Sequence, residues 1–260
     1  MTLVSERWCA EPAAAGSIRD ARQLSASIDR VETLSERAAG AMFELYDQYY
    51  DATSRPLFEA DLRNKDYVVT LREPSGALAG FSTLAVLTAE IGGQALRAIY
   101  SGDTIIDHAH WGTQALAFTW IRLAGTIKAQ APELPLYWFL IVKGHRTYRY
   151  LSAFSVDFHP HWQWPTPETA RGIMDGLAQA RFGDAYDATR GVVAFAQSRG
   201  HLKPEWADIE PGEEARRDVA FFLRRNPGYV RGDELVCLTE LASGNLRPLA
   251  RRVFEQGLRA

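Results

Sequence analysis

Apolar positions recur at helical spacing from Leu34 onward. Met42, Leu45, Tyr46, Tyr49 and Tyr50 fall on one aromatic face of a helix that Ser35 is placed to cap. A second, shorter helix follows, with Ser54 as its cap and Pro56 in its first turn. Leu57, Phe58 and Leu62 make its apolar side, and Glu59, Asp61 and Lys65 lie on or beside its polar side. Strand-like runs come next at 67–72, 78–87 and 95–106, separated by the turn signals Pro74-Ser75-Gly76 and Gly92-Gly93. A polar turn at 107–112 leads to a helix over 113–130, with Leu116, Trp120, Leu123 and Ile127 on one face. Pro132 and Pro135 end that helix and open an almost wholly apolar strand at 136–142. This strand runs into a second helix start at 143–150. The pattern then predicts helix over 166–198 with a fraying middle at 183–187, helix over 213–225, a last strand at 235–241 and a closing helix at 246–258.

Short connections between sequential strands predict an antiparallel meander, and the strand, helix and strand over 95–142 predict a right-handed crossover joining two parallel strands. Together they give an α/β domain with a mixed, mostly antiparallel central sheet flanked by helices. Gly102 interrupts the third strand and marks a bulge. Residues 1–33 are rich in Ala, Ser, Gly and charge, and read as a partly disordered arm. Residues 34–260 read as one domain, with a helical elaboration at 165–230 inserted before the last strand.

Composition narrows the function classes. A chain of 260 residues fits one elaborated domain. The net charge is -3, with acidic and basic residues interspersed and no basic stripe to meet nucleic-acid phosphates. Cys9 and Cys237 have no metal-ligand spacing, which fits a reducing compartment. No apolar run approaches the roughly 18 residues of a membrane span, and the start lacks the pattern of a signal peptide. The expected location is cytoplasmic. Oligomeric state leaves no signal.

Two helices, a three-strand meander, a bulged strand, a crossover helix, an apolar strand and a Tyr-bearing helix resemble the GNAT N-acyltransferase superfamily over residues 35–160, with 235–241 as its last strand. The run Lys143-Gly144-His145-Arg146-Thr147-Tyr148-Arg149-Tyr150-Leu151 with Phe158-His159-Pro160 also looks like a group of bacterial GNAT-like proteins of no settled activity. The resemblance implies acyl transfer from a thioester, lying in the V between the bulged strand and the next, to an amine. It implies that Ile105 and Ile106 hold the pantetheine arm, and that His108, His110, Trp111, Gly112, Thr113 and Gln114 hold the phosphates. In the family that loop carries Arg or Gln followed by two close glycines. Here Trp111-Gly112-Thr113-Gln114 offers one glycine and no basic residue. The donor is therefore acyl-CoA at an altered site, or a phosphopantetheine thioester on an acyl carrier protein, which bears one phosphate. A non-catalytic binding module with a degenerate CoA loop is the alternative.

Acyl transfer needs a base for the amine proton and an acid for the leaving thiolate. Tyr148 and Tyr150 both lie where the family often places its acid tyrosine, and Tyr148 is the first choice. Asp103, after the bulge, and His145 are candidate bases. Lys143 and Arg146 suit a phosphate or carboxylate. His108-Ala109-His110 and His159-Pro160-His161 each place two imidazoles two positions apart, a weak pattern for a metal-dependent enzyme, since no third ligand can be placed from the sequence. No metal is expected. The many aromatic residues are read mainly as core, with a few on the first helix lining a pocket.

Overall fold

The computed structural model describes residues 24–260. Its first half contains β1 (Ser25–Arg30), α1 (Glu36–Asp47), β2 (Tyr50–Asp51), α2 (Arg55–Leu62), β3 (Tyr67–Arg72), β4 (Leu78–Ile91), β5 (Gln94–Ile106), α3 (Ala115–Ala129), β6 (Leu136–Val142) and α4 (His145–Phe154). The second half contains α5 (Glu168–Phe182), β7 (Tyr186–Asp187), β8 (Val192–Val193), β9 (His201–Leu202), α6 (Pro204–Ala207), α7 (Arg217–Arg225), β10 (Glu234–Glu240) and α8 (Pro248–Leu258). The main sheet runs β1-β3-β4-β5-β6-β10-β8-β7. Its β5–β6 pair is parallel and every other neighbour antiparallel. This is the mixed, mostly antiparallel α/β sheet that the element order predicts.

The pleat of β6 divides the core. Leu136, Trp138, Leu140 and Val142 face α3, α4 and α8, while Tyr137, Phe139 and Ile141 face α5. A third cluster, from Met42 to Ile105, seats α1 and α2 on the same side as α5. Helices α3 and α8 meet almost backbone to backbone. A Cβ on Gly125 would overlap the Phe254 carbonyl, and one on Gly257 the Arg122 carbonyl. The caps follow the sequence: Ser35 accepts from Ala38 N–H at 3.2 Å and Ser54 from Leu57 N–H at 3.4 Å.

Several boundaries differ from expectation. Within the expected arm, Ser25–Arg30 is β1, an edge strand paired with all of β3, and Val31–Thr33 form a 3-10 turn; residues 1–23 lie outside the described residues. Only Ala26 and Ile28 turn inward on β1, too weak an alternation to stand out. The helix expected over 166–198 stops at Phe182, because Gly183 takes φ 52 and breaks the ladder. The following chain adds β8 and β7 to the sheet edge instead. The helix after the polar turn begins at Ala115, since 108–110 form a separate 3-10 turn capped by Asp107. Lys65 is not on a polar surface. Its side chain is fully buried, with its ammonium bonded to the Asp61 carboxylate.

Candidate active site

The sheet splits where the sequence places its odd glycine. Thr104 lies opposite Ser82 and Ser101 opposite Leu84, so β5 carries one residue more than β4 across Gly102-Asp103. A side chain at Gly102 would strike Lys65, whose Cε lies 2.5 Å from the Cβ position, and would overlap the Thr83 hydroxyl. The parallel pairing of β5 with β6 ends at Ser101 opposite Leu140. Beyond it, β5 stays with β4 as far as Ile106 opposite Gly80, and β6 stays with β10 as far as Val142 opposite Leu235. The two strands therefore diverge. Trp138 pins the apex by donating its indole N–H to Ser101 Oγ at 2.8 Å.

A cavity of about 940 Å³ occupies this split and passes through the sheet. On the α3 and α4 side it is lined by the apolar and aromatic side chains Leu116, Trp120, Trp138, Tyr150 and Phe154, with the paired Arg149 and Glu213 also on its wall. On the α1, α2 and α5 side it is aromatic and charged, lined by Tyr46, Tyr50, Tyr100, Asp61, Asp103, Glu234, Lys143 and Arg181. Asp107 N–H bonds back to Ala79 in β4, so the pleat turns the polar groups of Ile106 toward the split. The Ile106 carbonyl already accepts from the Trp111 indole at 2.8 Å.

The chain between β8 and α7 roofs the charged side. Pairing of β9 with β2 anchors it, with Tyr50 opposite Leu202. Trp206 on α6 packs against Tyr49, His108 and Trp111, with ring centres 5.0, 5.6 and 5.6 Å away. Arg146 donates to the Trp206 carbonyl at 2.9 Å, and its guanidinium lies 5.4 Å from the Trp111 ring centre.

Sequence-derived candidates divide sharply. Asp103, Ile105, Ile106, Trp111, Gly112, Thr113, Gln114, Lys143, His145 and Arg146 all line the cavity. Tyr148 does not. Its phenol is buried, donates to the Pro160 carbonyl at 2.7 Å, and sits among Phe158, Trp162, Phe221 and Phe222. Burial pushes its proton affinity up, away from any useful range. Tyr150, two residues on and so on another face of α4, lines the cavity instead. His108 is exposed at the loop surface, and His110 bonds Glu73 at 2.8 Å; neither lines the cavity. Among the described residues, no three His, Cys, Asp or Glu side chains gather to hold a metal ion.

The basic candidates are already occupied. Lys143 pairs with Glu234 at 3.6 Å, and its ammonium lies 5.5 Å from the Tyr50 ring centre, on the charged side. His145 faces Glu213 at 3.2 Å, and burial together with Arg146 lowers its proton affinity against the pull of that carboxylate. Asp103 is half-buried, and desolvation and Asp61 raise its pKa against the pull of Lys143 and Lys65. Glu234 is the group that sequence reasoning missed. Burial pushes its carboxyl up to about 7, partly opposed by Lys143 and assisted by Asp103. The available signal was a carboxylate opening an otherwise apolar strand, Glu234-Leu235-Val236-Cys237-Leu238. Cys237 itself is a buried packer, as its apolar neighbours imply.

No family model matches this chain, and no curated protein matches it. Solved structures that it matches include a conserved Enterococcus faecalis protein described as a probable N-acyltransferase. The identity is 12%, the match covers 52% of this chain and 33% of that one, and the TM-score is 0.37. The Escherichia coli GNAT family N-acetyltransferase YhbS, in complex with CoA, matches at 12% identity over 56% of this chain and 71% of its own, with a TM-score of 0.36. A variant of the AtaT toxin, bound to the C-terminus of the antitoxin AtaR and acetyl-CoA, matches at 13% identity over 51% of this chain and 84% of its own, with a TM-score of 0.35. The chain thus spans about a third of the Enterococcus protein's length.

Proposed function

We propose that this chain is an N-acyltransferase. An acyl thioester, on CoA or on the phosphopantetheine of an acyl carrier protein, lies in the split between β5 and β6, and an amine reaches it from the charged side. One observation carries this reading: the cavity crosses the sheet and joins an apolar chamber beside Tyr150 to a charged chamber holding Glu234 and Asp103. The ammonium acceptor must lose a proton before it attacks. Glu234, with a pKa raised to about 7 by burial, takes it directly or through a water, with Asp103 as the second candidate. The amine nitrogen then bonds to the thioester carbon and the C–S bond breaks; the Tyr150 phenol gives its proton to the thiolate and is restored by the second proton that the nitrogen sheds in becoming an amide. Backbone N–H groups that β5 turns toward the split are donors for the carbonyl oxyanion and the pantetheine amides. Gly112, Thr113, Gln114 and the first turn of the 15-residue α3 meet the phosphate end.

A ligand that binds only the folded state raises its melting temperature. The protein should therefore be stabilised by CoA, acetyl-CoA or a loaded carrier protein, and should release thiol from the thioester when amines are supplied. One observation favours a second reading, a binding module without turnover: Lys143 and Arg146 are both committed within the protein and leave the phosphates no basic partner there. Stabilisation by the donor without thiol release to any amine would decide for it.

A further inference from the structure

We infer that the acceptor is an amphoteric small molecule, an amine that also carries a carboxylate, with Arg181 holding the carboxylate and Asp103, beside Asp61, receiving the ammonium. That the bound amine is the acyl acceptor rests on the transfer reading; the recognition rests on the chamber's own charges.

The charged groups that line the cavity include the acids Asp61, Asp103 and Glu234 and the bases Lys143, Arg181 and Arg199. Two acids are already matched: Glu234 by Lys143 at 3.6 Å, and Asp61 by the buried Lys65. Among the described residues, Asp103, Arg181 and Arg199 make no ion pair and no side-chain hydrogen bond. Of these six groups, one carboxylate and two guanidiniums are left over, which is the complement of a zwitterion with additional room for an anion.

Their placement fits the task. Arg181, in the last turn of α5, lies with its guanidinium 3.9 Å from the centre of the Tyr100 ring. Stacking of that kind fixes the plane and leaves the N–H edge open for a bidentate carboxylate. Lys65 Nζ lies 5.3 Å from the same ring centre, and Asp103 follows Tyr100 across the bulge. Burial raises the Tyr100 phenol most, Glu234, Asp61 and Asp103 add to the rise and Arg181 opposes it, so these four charges act around one ring. Arg199 is held in the same way by the roof, 4.2 Å from the Phe195 ring centre. A purely cationic acceptor such as a polyamine would meet Arg181 as a like charge, an arrangement that selects against it.

Calorimetric titration of the whole protein with matched pairs tests this: lysine against cadaverine, phenylalanine against phenethylamine, tyrosine against tyramine. At least one amino acid should bind about tenfold or more tightly than its decarboxylated partner. Arg181→Gln should remove that preference and Arg181→Lys restore part of it. Equal or tighter binding by the amines, a preference that survives Arg181→Gln, or no binding by any amino acid would overturn the inference. Thiol release from acetyl-CoA in the same mixtures separates the two readings. Preference without release leaves the amphoteric chamber standing and removes the transfer, whereas release with the amines alone removes only the carboxylate requirement.

Discussion

The Glu234 carboxylate lies 3.6 Å from the Lys143 ammonium, with both groups largely withdrawn from water. The ion pair lies on the β6 side of the split, where it ties the first residue of β10 to the residue after β6. Burial still outweighs the partner, and the carboxyl is held at about 7, well above its ordinary 4.5. A carboxyl raised in this way contributes stability that is complete below about 4.5 and is lost as pH rises through about 7. Relative to Glu234→Gln, the native protein should therefore lose about 3 kcal/mol across that window, the order implied by the shift. Melting curves of both proteins at several pH values measure it, and parallel curves would refute the assignment. In turnover assays the native rate should rise with pH through about 7, and Glu234→Gln should lack that limb.

Tyr148 and Tyr150 should separate cleanly. Tyr148→Phe deprives the buried Pro160 carbonyl of its donor and should cost about 1–2 kcal/mol of stability with little change in kcat. Tyr150→Phe should leave donor affinity near its native value and depress kcat by roughly 100-fold or more. A fully active Tyr150→Phe enzyme would remove the acid from the mechanism proposed.

Gly102→Ala tests the bulge. The added methyl would meet Lys65 Cε and the Thr83 hydroxyl, so either the bulge or the buried Lys65–Asp61 pair must give way. Destabilisation of about 1–3 kcal/mol is expected, together with weakened binding of any thioester donor. An alanine variant that melts and binds like the native protein would show that the strand tolerates a side chain there.

Gly125→Ala and Gly257→Ala report on the packing of α3 on α8. Each added Cβ overlaps a backbone carbonyl of the opposite helix, which cannot rotate aside. Each change should lower stability by about 1–3 kcal/mol, and because both act on one contact the double variant should cost less than the sum. Denaturant titration of the three variants measures this.

Much of the fold was legible because its strands are buried on both faces or bounded by turns. Tyr67–Arg72 and Leu136–Val142 coincide with their apolar runs, and Gly102 marks the bulge. Strand β1 was not legible, since an edge strand with two inward residues is weakly patterned. The site was legible in place more than in role. Choosing between Tyr148 and Tyr150 depends on which face of α4 meets Phe158 and Phe222, residues supplied by later chain. Lys143 reads as a free base until β10 brings Glu234 beside it. Arg181 and Arg199 carried no local signal, because what matters is the aromatic ring each one stacks on.

The link from Arg146 to the Trp206 carbonyl and the Trp111 ring joins the helix after β6 to the loop after β5. The two arms of the wedge are thus braced across their open end, and its aperture cannot widen without breaking that brace. Arg146 consequently works as a spacer as well as a charge. On the transfer mechanism proposed, shortening it would alter the girth of acyl chain that the split admits before it altered any attraction for a phosphate.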